Sequence, residues 1–234
     1  MYQMITVSNL SKSYKGVQVL NIEELTIPKG QSFGLVGNNG AGKTTFFSLL
    51  LDLIEPTTGF IKSKGILVNE SEDWKPYTAA FIDESFLIGY LTAEEYFYFI
   101  GELRGQSKKE IDDFLVQFKE IFNDEILGKK KYLRDLSKGN QKKAGIVAAL
   151  IGNPEIVILD EPFANLDPTT QIRLKQMLNS LVKNKDITVL ISSHDLGHIT
   201  DVCERIVVLE KGDVIKDLNT SAETLKELEM HFAR

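Results

Sequence analysis

A chain of 234 residues, 43% hydrophobic and 26% charged, can bury a sizeable core and has the make-up of a soluble globular protein. Its formal net charge of −6 argues against a nucleic-acid partner, whose readers are usually basic; the one basic run, Lys129-Lys130-Lys131, reads as a solvated loop. The single cysteine, Cys203, excludes an intrachain disulfide, and no apolar run approaches the roughly 18 residues that cross a bilayer, so a reducing, cytoplasmic setting is expected.

The first sixteen residues lack the apolar core of a signal peptide, and alternation over Met4–Asn9 predicts a strand instead. A second strand, mostly apolar, is predicted over Gln31–Val36 after the turn signal Gly30; the residues between suggest no element. A glycine-rich stretch then leads into a helix over Lys43–Leu53, closed by Pro56-Thr57-Thr58-Gly59. Short strands follow at Phe60–Lys64 and Thr78–Ile82. Ala93–Phe122 is helical and charged, broken at Gly105-Gln106-Ser107 with Ser107 as an N-cap. Around it cluster Phe81, Phe86, Tyr90, Tyr96, Phe97, Tyr98 and Phe99, readable either as core or as the anchor of an interface.

Ser137–Ile151 predicts another helix. Ile156–Leu159, a purely apolar run between Pro154 and Asp160, predicts a central parallel strand covered on both faces. A helix over Pro168–Lys183, a strand over Ile187–Ile191 and a short helix over Asp195–Val202 follow. Cys203, near Val202 and Ile206, reads as a small buried apolar residue. Arg205–Leu209 and Asp213–Leu218 form a hairpin about Lys211-Gly212, and Ser221–Phe232 is an amphipathic helix. With strands and helices alternating and no repeat or linker, an α/β sheet in one domain spanning 1–234 is expected.

Gly37-Asn38-Asn39-Gly40-Ala41-Gly42-Lys43-Thr44 matches G-x-x-x-x-G-K-[ST], set between a predicted strand and helix. Glycines let successive N–H groups turn toward phosphate oxygens, and the helix adds its positive end. Lys43 offers a point charge to the β- and γ-phosphates, the Thr44 hydroxyl can ligate Mg²⁺, and Thr45 continues the cradle. Asp160 and Glu161 close the Ile156–Leu159 strand, where open α/β sheets bind ligands. Two adjacent carboxylates there suit Mg²⁺ binding by Asp160 and proton abstraction from water by Glu161; an acidic surface turn before Pro162 is the plainer alternative.

Three further stretches keep a fixed order around these motifs: Leu136-Ser137-Lys138-Gly139-Asn140, Ala164-Asn165-Leu166-Asp167 and Ser192-Ser193-His194. The whole set, from Tyr14 to about Leu218, resembles the nucleotide-binding domain of ATP-binding cassette (ABC) ATPases. That resemblance implies a P-loop NTPase fold with a mostly parallel central sheet, a small antiparallel β subdomain and a helical subdomain at about residues 84–150. It implies that Tyr14 stacks on adenine, that His194 contacts the γ-phosphate, and that Asp167 lies in a loop communicating between two subunits. Ser137 and Gly139 are implied to close over ATP bound by a second, head-to-tail nucleotide-binding subunit, identical or different. The plainer readings are a strand-end tyrosine, helix N-caps at Ser137 and Asp167, and a structural histidine.

Two departures stand out. Counting back from Leu91-Thr92 puts Asp83 where the family usually carries a Mg²⁺-contacting glutamine, and Lys138 and Asn140 alter the signature. Similar lysine-bearing signatures occur in single-domain ATPases of export systems. The resemblance therefore implies the ATPase of an exporter, held at the inner face of the cell membrane by a separate permease chain. A soluble assembly, regulatory or translation ATPase is the competing reading. A GTPase is disfavoured because Asn184-Lys185-Asp186 falls one residue short of N-K-x-D.

Overall fold

The computed structural model describes residues 3–183 and 187–233; Asn184-Lys185-Asp186 lies outside them. In chain order the strands are β1 (Gln3–Tyr14), β2 (Val17–Pro28), β3 (Ser32–Val36), β4 (Thr58–Ser63), β5 (Ile66–Leu67), β6 (Thr78–Phe81), β7 (Ile156–Leu159), β8 (Thr188–Ser193), β9 (Arg205–Glu210) and β10 (Asp213–Asn219). The helices are α1 (Lys43–Leu50), α2 (Ala93–Leu103), α3 (Lys108–Val116), α4 (Lys119–Phe122), α5 (Lys138–Ala149), α6 (Pro168–Lys183), α7 (Leu196–Val202) and α8 (Thr224–Phe232).

One mixed sheet runs β5-β4-β1-β2-β10-β9-β3-β8-β7-β6. Its centre, β6-β7-β8-β3-β9, is parallel throughout, as the unbroken apolar run of β7 predicts. Side chains of these strands alternate between two apolar layers. Ile156, Ile158, Leu190 and Val207 meet Phe46 and Phe47 of α1 on one face. Val157, Leu159, Val189 and Ile191 meet α5, α6 and α7 on the other. Beyond β9 the hairpin to β10 reverses direction, and β2, β1, β4 and β5 continue as an antiparallel flank.

The strand β2 is the main element the sequence hides. Its buried residues are Leu20 and Ile22, then Leu25 and Ile27, so the alternation slips by one at the exposed pair Glu23-Glu24. Elsewhere the expected elements occur with shifted ends; α1 stops at Leu50, and Ser107 caps α3 in a capping box with Glu110. Cys203 is buried, which drives its thiol pKa far up, in keeping with its reading as a packing residue.

Helix α5 lies unusually close to β6. A Cβ at Gly145 would overlap the Phe81 ring, so only glycine permits this approach. Gly145→Ala is expected to destabilise the chain by about 1–3 kcal/mol through overpacking, read as a lower urea midpoint at constant slope. An unchanged midpoint would mean that the helix does not seat on Phe81.

Candidate active site

Strand β3 ends buried at Val36 and Gly37, and the chain then turns back through exposed Asn38, Asn39 and Gly40 into α1. Gly42 sits at φ +108, and a Cβ there would stand 3.0 Å from the Val19 carbonyl, so a side chain is excluded twice over. The Ala41 N–H donates to the Asn38 carbonyl at 3.0 Å, and the Gly212 N–H donates to the Ala41 carbonyl at 3.0 Å, bracing the loop on the β9–β10 hairpin. No side chain caps α1, and its first turn holds no acidic residue. Its leading N–H groups and positive end are thus left for an anion.

Lys43 is 7% exposed; its ammonium donates to the Gly37 carbonyl at 2.7 Å and stands 3.4 Å from Glu161 Oε1. The Thr44 hydroxyl donates to Asp160 Oδ2 at 2.6 Å. Asp160 is buried, which pushes its carboxyl upward from the usual range, while hydroxyl donors on Ser192 and Thr44 pull it back. Ser192 also accepts the Glu161 N–H at 3.0 Å, so one buried hydroxyl spaces both carboxylate residues.

Glu161 itself adopts the left-handed region, φ +47, sparsely populated by residues with a side chain. Its Oε2 lies 2.9 Å from His194 Nδ1. Its Oε1 is buried and has no hydrogen-bond partner among the described residues. The structure thus brings Lys43, Thr44, Asp160, Glu161 and His194 together where β3, β7 and β8 end. Asp160 and Thr44 present hard oxygen donors of the kind Mg²⁺ takes. Among the described residues no group of three or more His, Cys, Asp or Glu could hold a metal. Mg²⁺ suits such a site, because it normally relies on one or two protein oxygens plus substrate phosphates and water.

Other expected residues lie around this centre. Tyr14 ends β1 opposite Val17, on the hairpin whose Val19 touches Gly42; its ring is half exposed, with the Lys12 ammonium 4.9 Å from its centroid. Ser137 caps α5 by accepting the Asn140 N–H at 3.2 Å, and Asp167 caps α6 through Thr170. Gly139 faces the Asn165 carbonyl, so the α5 start and the Asn165–Asp167 segment form a second cluster; no described hydrogen bond or ion pair joins them to the loop at Gly37–Thr45. Asp83 caps its own turn: its carboxylate accepts the Ser85 N–H at 2.8 Å, and the Ser85 contacts hold its pKa down. Two residues absent from the sequence reading do reach the centre. Lys142 donates to the Glu161 carbonyl at 2.8 Å, and Glu84 lies 3.7 Å from Lys142.

Comparison with known proteins places the chain in a family. The family described as ABC transporter matches residues 20–164. An uncharacterized ABC transporter ATP-binding protein, YhaQ of Bacillus subtilis (strain 168), is 35% identical across 99% of this chain and 74% of its own length. Bacitracin transport ATP-binding protein BcrA of Enterococcus faecalis is 33% identical across 94% of this chain and 71% of its own. A solved ATP binding subunit of an ABC transporter superposes with a TM-score of 0.83 at 28% identity, covering 98% of this chain and 93% of that one. The dimeric bacterial ABC transporter cassette MJ0796 gives 0.83 at 25% identity, over 94% and 100%.

Proposed function

We propose, from the premise that this chain belongs to the ABC transporter ATP-binding family and hydrolyses ATP, that it powers an exporter whose permease is a separate polypeptide. One observation carries the site assignment: Lys43 and Thr44 of the loop meet Glu161 and Asp160 of the strand end, at 3.4 and 2.6 Å. The loop amides and Lys43 hold the triphosphate, and Tyr14 offers its ring to adenine. Thr44 and Asp160 would hold Mg²⁺, which when bound neutralises phosphate charge. Glu161 takes the proton of the attacking water, with His194 fixing one carboxylate oxygen. Phosphate competes with Glu161 for Lys43, so substrate binding itself frees the carboxylate oxygen that the lysine holds.

Residues 1–234 are read as one nucleotide-binding domain, with its helical part at about residues 84–150. Ser137, Lys138 and Asp167 are exposed and Gly139 half-buried, and the Ser137–Gly139 and Asp167 cluster has no described contact with its own loop. We assign it to the ATP of a second copy placed head to tail, which closes around the nucleotide and opens on hydrolysis. The permease is assigned to a face where Phe86 and Tyr90 are exposed and Arg134 stacks 4.7 Å from the Tyr90 ring. The same helical part also carries a groove of about 930 Å³ lined by Tyr96, Ile100, Leu103 and Arg104. No helix among the described residues is long and apolar enough to cross a membrane; the crossing is assigned to a separate permease that holds this chain at the inner membrane face. Export is favoured by Lys138, because similar lysine-bearing signatures occur in single-domain ATPases of export systems.

Co-expression with a multi-span membrane protein, where one is encoded beside this chain, tests the reading. The two are expected to co-elute in detergent, and ATP to drive cargo movement in proteoliposomes. Recovery with ribosomes or assembly factors, and with no membrane protein, would instead favour the soluble-ATPase reading.

A further inference from the structure

Behind the carboxylates lies a charge that the hydrolytic reading does not use. Lys142, on α5, is 6% exposed, and a buried ammonium is unfavourable unless oxygens surround it. Two oxygens of the described residues lie within 4 Å of it, and the Asp83 carboxylate also feels its charge. The Glu161 carbonyl accepts its hydrogen bond at 2.8 Å. Glu84 Oε1 stands 3.7 Å away, and that buried oxygen has no hydrogen-bond partner among the described residues. Glu84 opens the 3-10 turn Glu84–Phe86, which Asp83 caps and which carries the exposed Phe86.

Glu161 needs such support. A residue with a side chain keeps φ +47 only where its surroundings over-determine it. Here the N–H is tied to Ser192, and the carbonyl accepts from Lys142 at 2.8 Å and more weakly from the Ala164 N–H at 3.3 Å, so the residue is held on both sides. The 3.7 Å gap to Glu84 is wide for a hydrogen bond but close for a charge pair. A shift of the 84–86 turn of under about 1 Å would close it and share the ammonium between two acceptors.

We infer that Lys142 is a positioning residue for hydrolysis: it pins the Glu161 backbone, and Glu84 links that pin to the turn bearing Phe86. The inference rests on Glu161 being the base. Whatever docks at Phe86 is then two contacts from the carboxylate, through Glu84 and Lys142.

The test uses purified protein, with kcat and KM for ATP, Kd for Mg-ADP by calorimetry, and thermal unfolding. Lys142→Met is expected to lower kcat by about 10- to 100-fold while Kd for Mg-ADP stays within about twofold, because misplacing the base acts on the chemical step. Lys142→Arg, which keeps charge and donor, is expected to recover most of that loss. Glu84→Gln is expected to lower kcat about 3- to 10-fold, yet to have little further effect in the Lys142→Met background. That double variant also removes the carboxylate that Lys142→Met strands, so it serves if the single variant does not fold. A folded Lys142→Met or double variant with near-normal kcat overturns the inference. So does loss of kcat and Mg-ADP affinity together, which marks general damage. Glu161→Gln run alongside separates the failures. If it hydrolyses normally, the assignment of the base is wrong; if it is inactive while the Lys142 variants are normal, only the pin is wrong.

Discussion

Glu161→Gln is expected to slow ATP hydrolysis by about 10²–10⁴-fold, roughly 3–5 kcal/mol of barrier, while leaving nucleotide binding intact. The amide has nearly the shape of the carboxylate, so it can keep the contacts to Lys43 and His194 that place the side chain. It cannot accept the water's proton. Binding should then close two copies around ATP with no hydrolysis to reopen them, and size-exclusion chromatography should show an ATP-dependent dimer. Glu161→Gln turning over ATP at the normal rate would falsify the assignment, and His194, 2.9 Å away, would become the next residue to test.

How much of this was legible beforehand depends on whether the chemistry was local in sequence. The phosphate-loop motif was legible because its glycines, lysine and threonine are contiguous in sequence, and the structure sets that stretch between β3 and α1. Strand β7 was legible because a strand buried on both faces must be apolar throughout. Ser192 was harder: a hydroxyl in a buried strand looks like a packing residue until Asp160 and Glu161 are seen at its oxygen. Lys142 and Glu84 gave no signal at all, since their meaning lies in contacts across 19 and 58 residues of chain.

The aromatic cluster illustrates a different limit. Phe81 and Phe97 are buried and Tyr96 nearly so, whereas Phe86, Tyr90 and Phe99 are exposed. Consecutive aromatics on α2 cannot share one face of a helix, so the cluster divides between core and surface. Asp83 shows what counting along the chain leaves out: it finds the place from Thr92, whereas the cap that a short carboxylate makes to the Ser85 N–H is visible only in the structure.

Lys43→Ala is expected to weaken ATP binding by about 10²-fold or more, near 3 kcal/mol, because the triphosphate loses a buried charge-assisted donor. The geometry adds a second penalty. Lys43 is the cation that faces Glu161 Oε1, an oxygen with no hydrogen-bond partner among the described residues, so its removal leaves a negative carboxylate beside incoming phosphate. The two losses can be separated. If repulsion from Glu161 contributes, Lys43→Ala combined with Glu161→Gln should bind ATP more tightly than Lys43→Ala alone, although less tightly than Glu161→Gln alone. Calorimetry with one non-hydrolysable Mg-ATP analogue on all the variants and the unmodified chain avoids turnover and keeps the comparison on one ligand. Equal affinity in the alanine variant and the unmodified chain would place the nucleotide somewhere other than this loop. A double variant no tighter than the single one would keep Lys43 as a phosphate ligand but remove its role in neutralising Glu161.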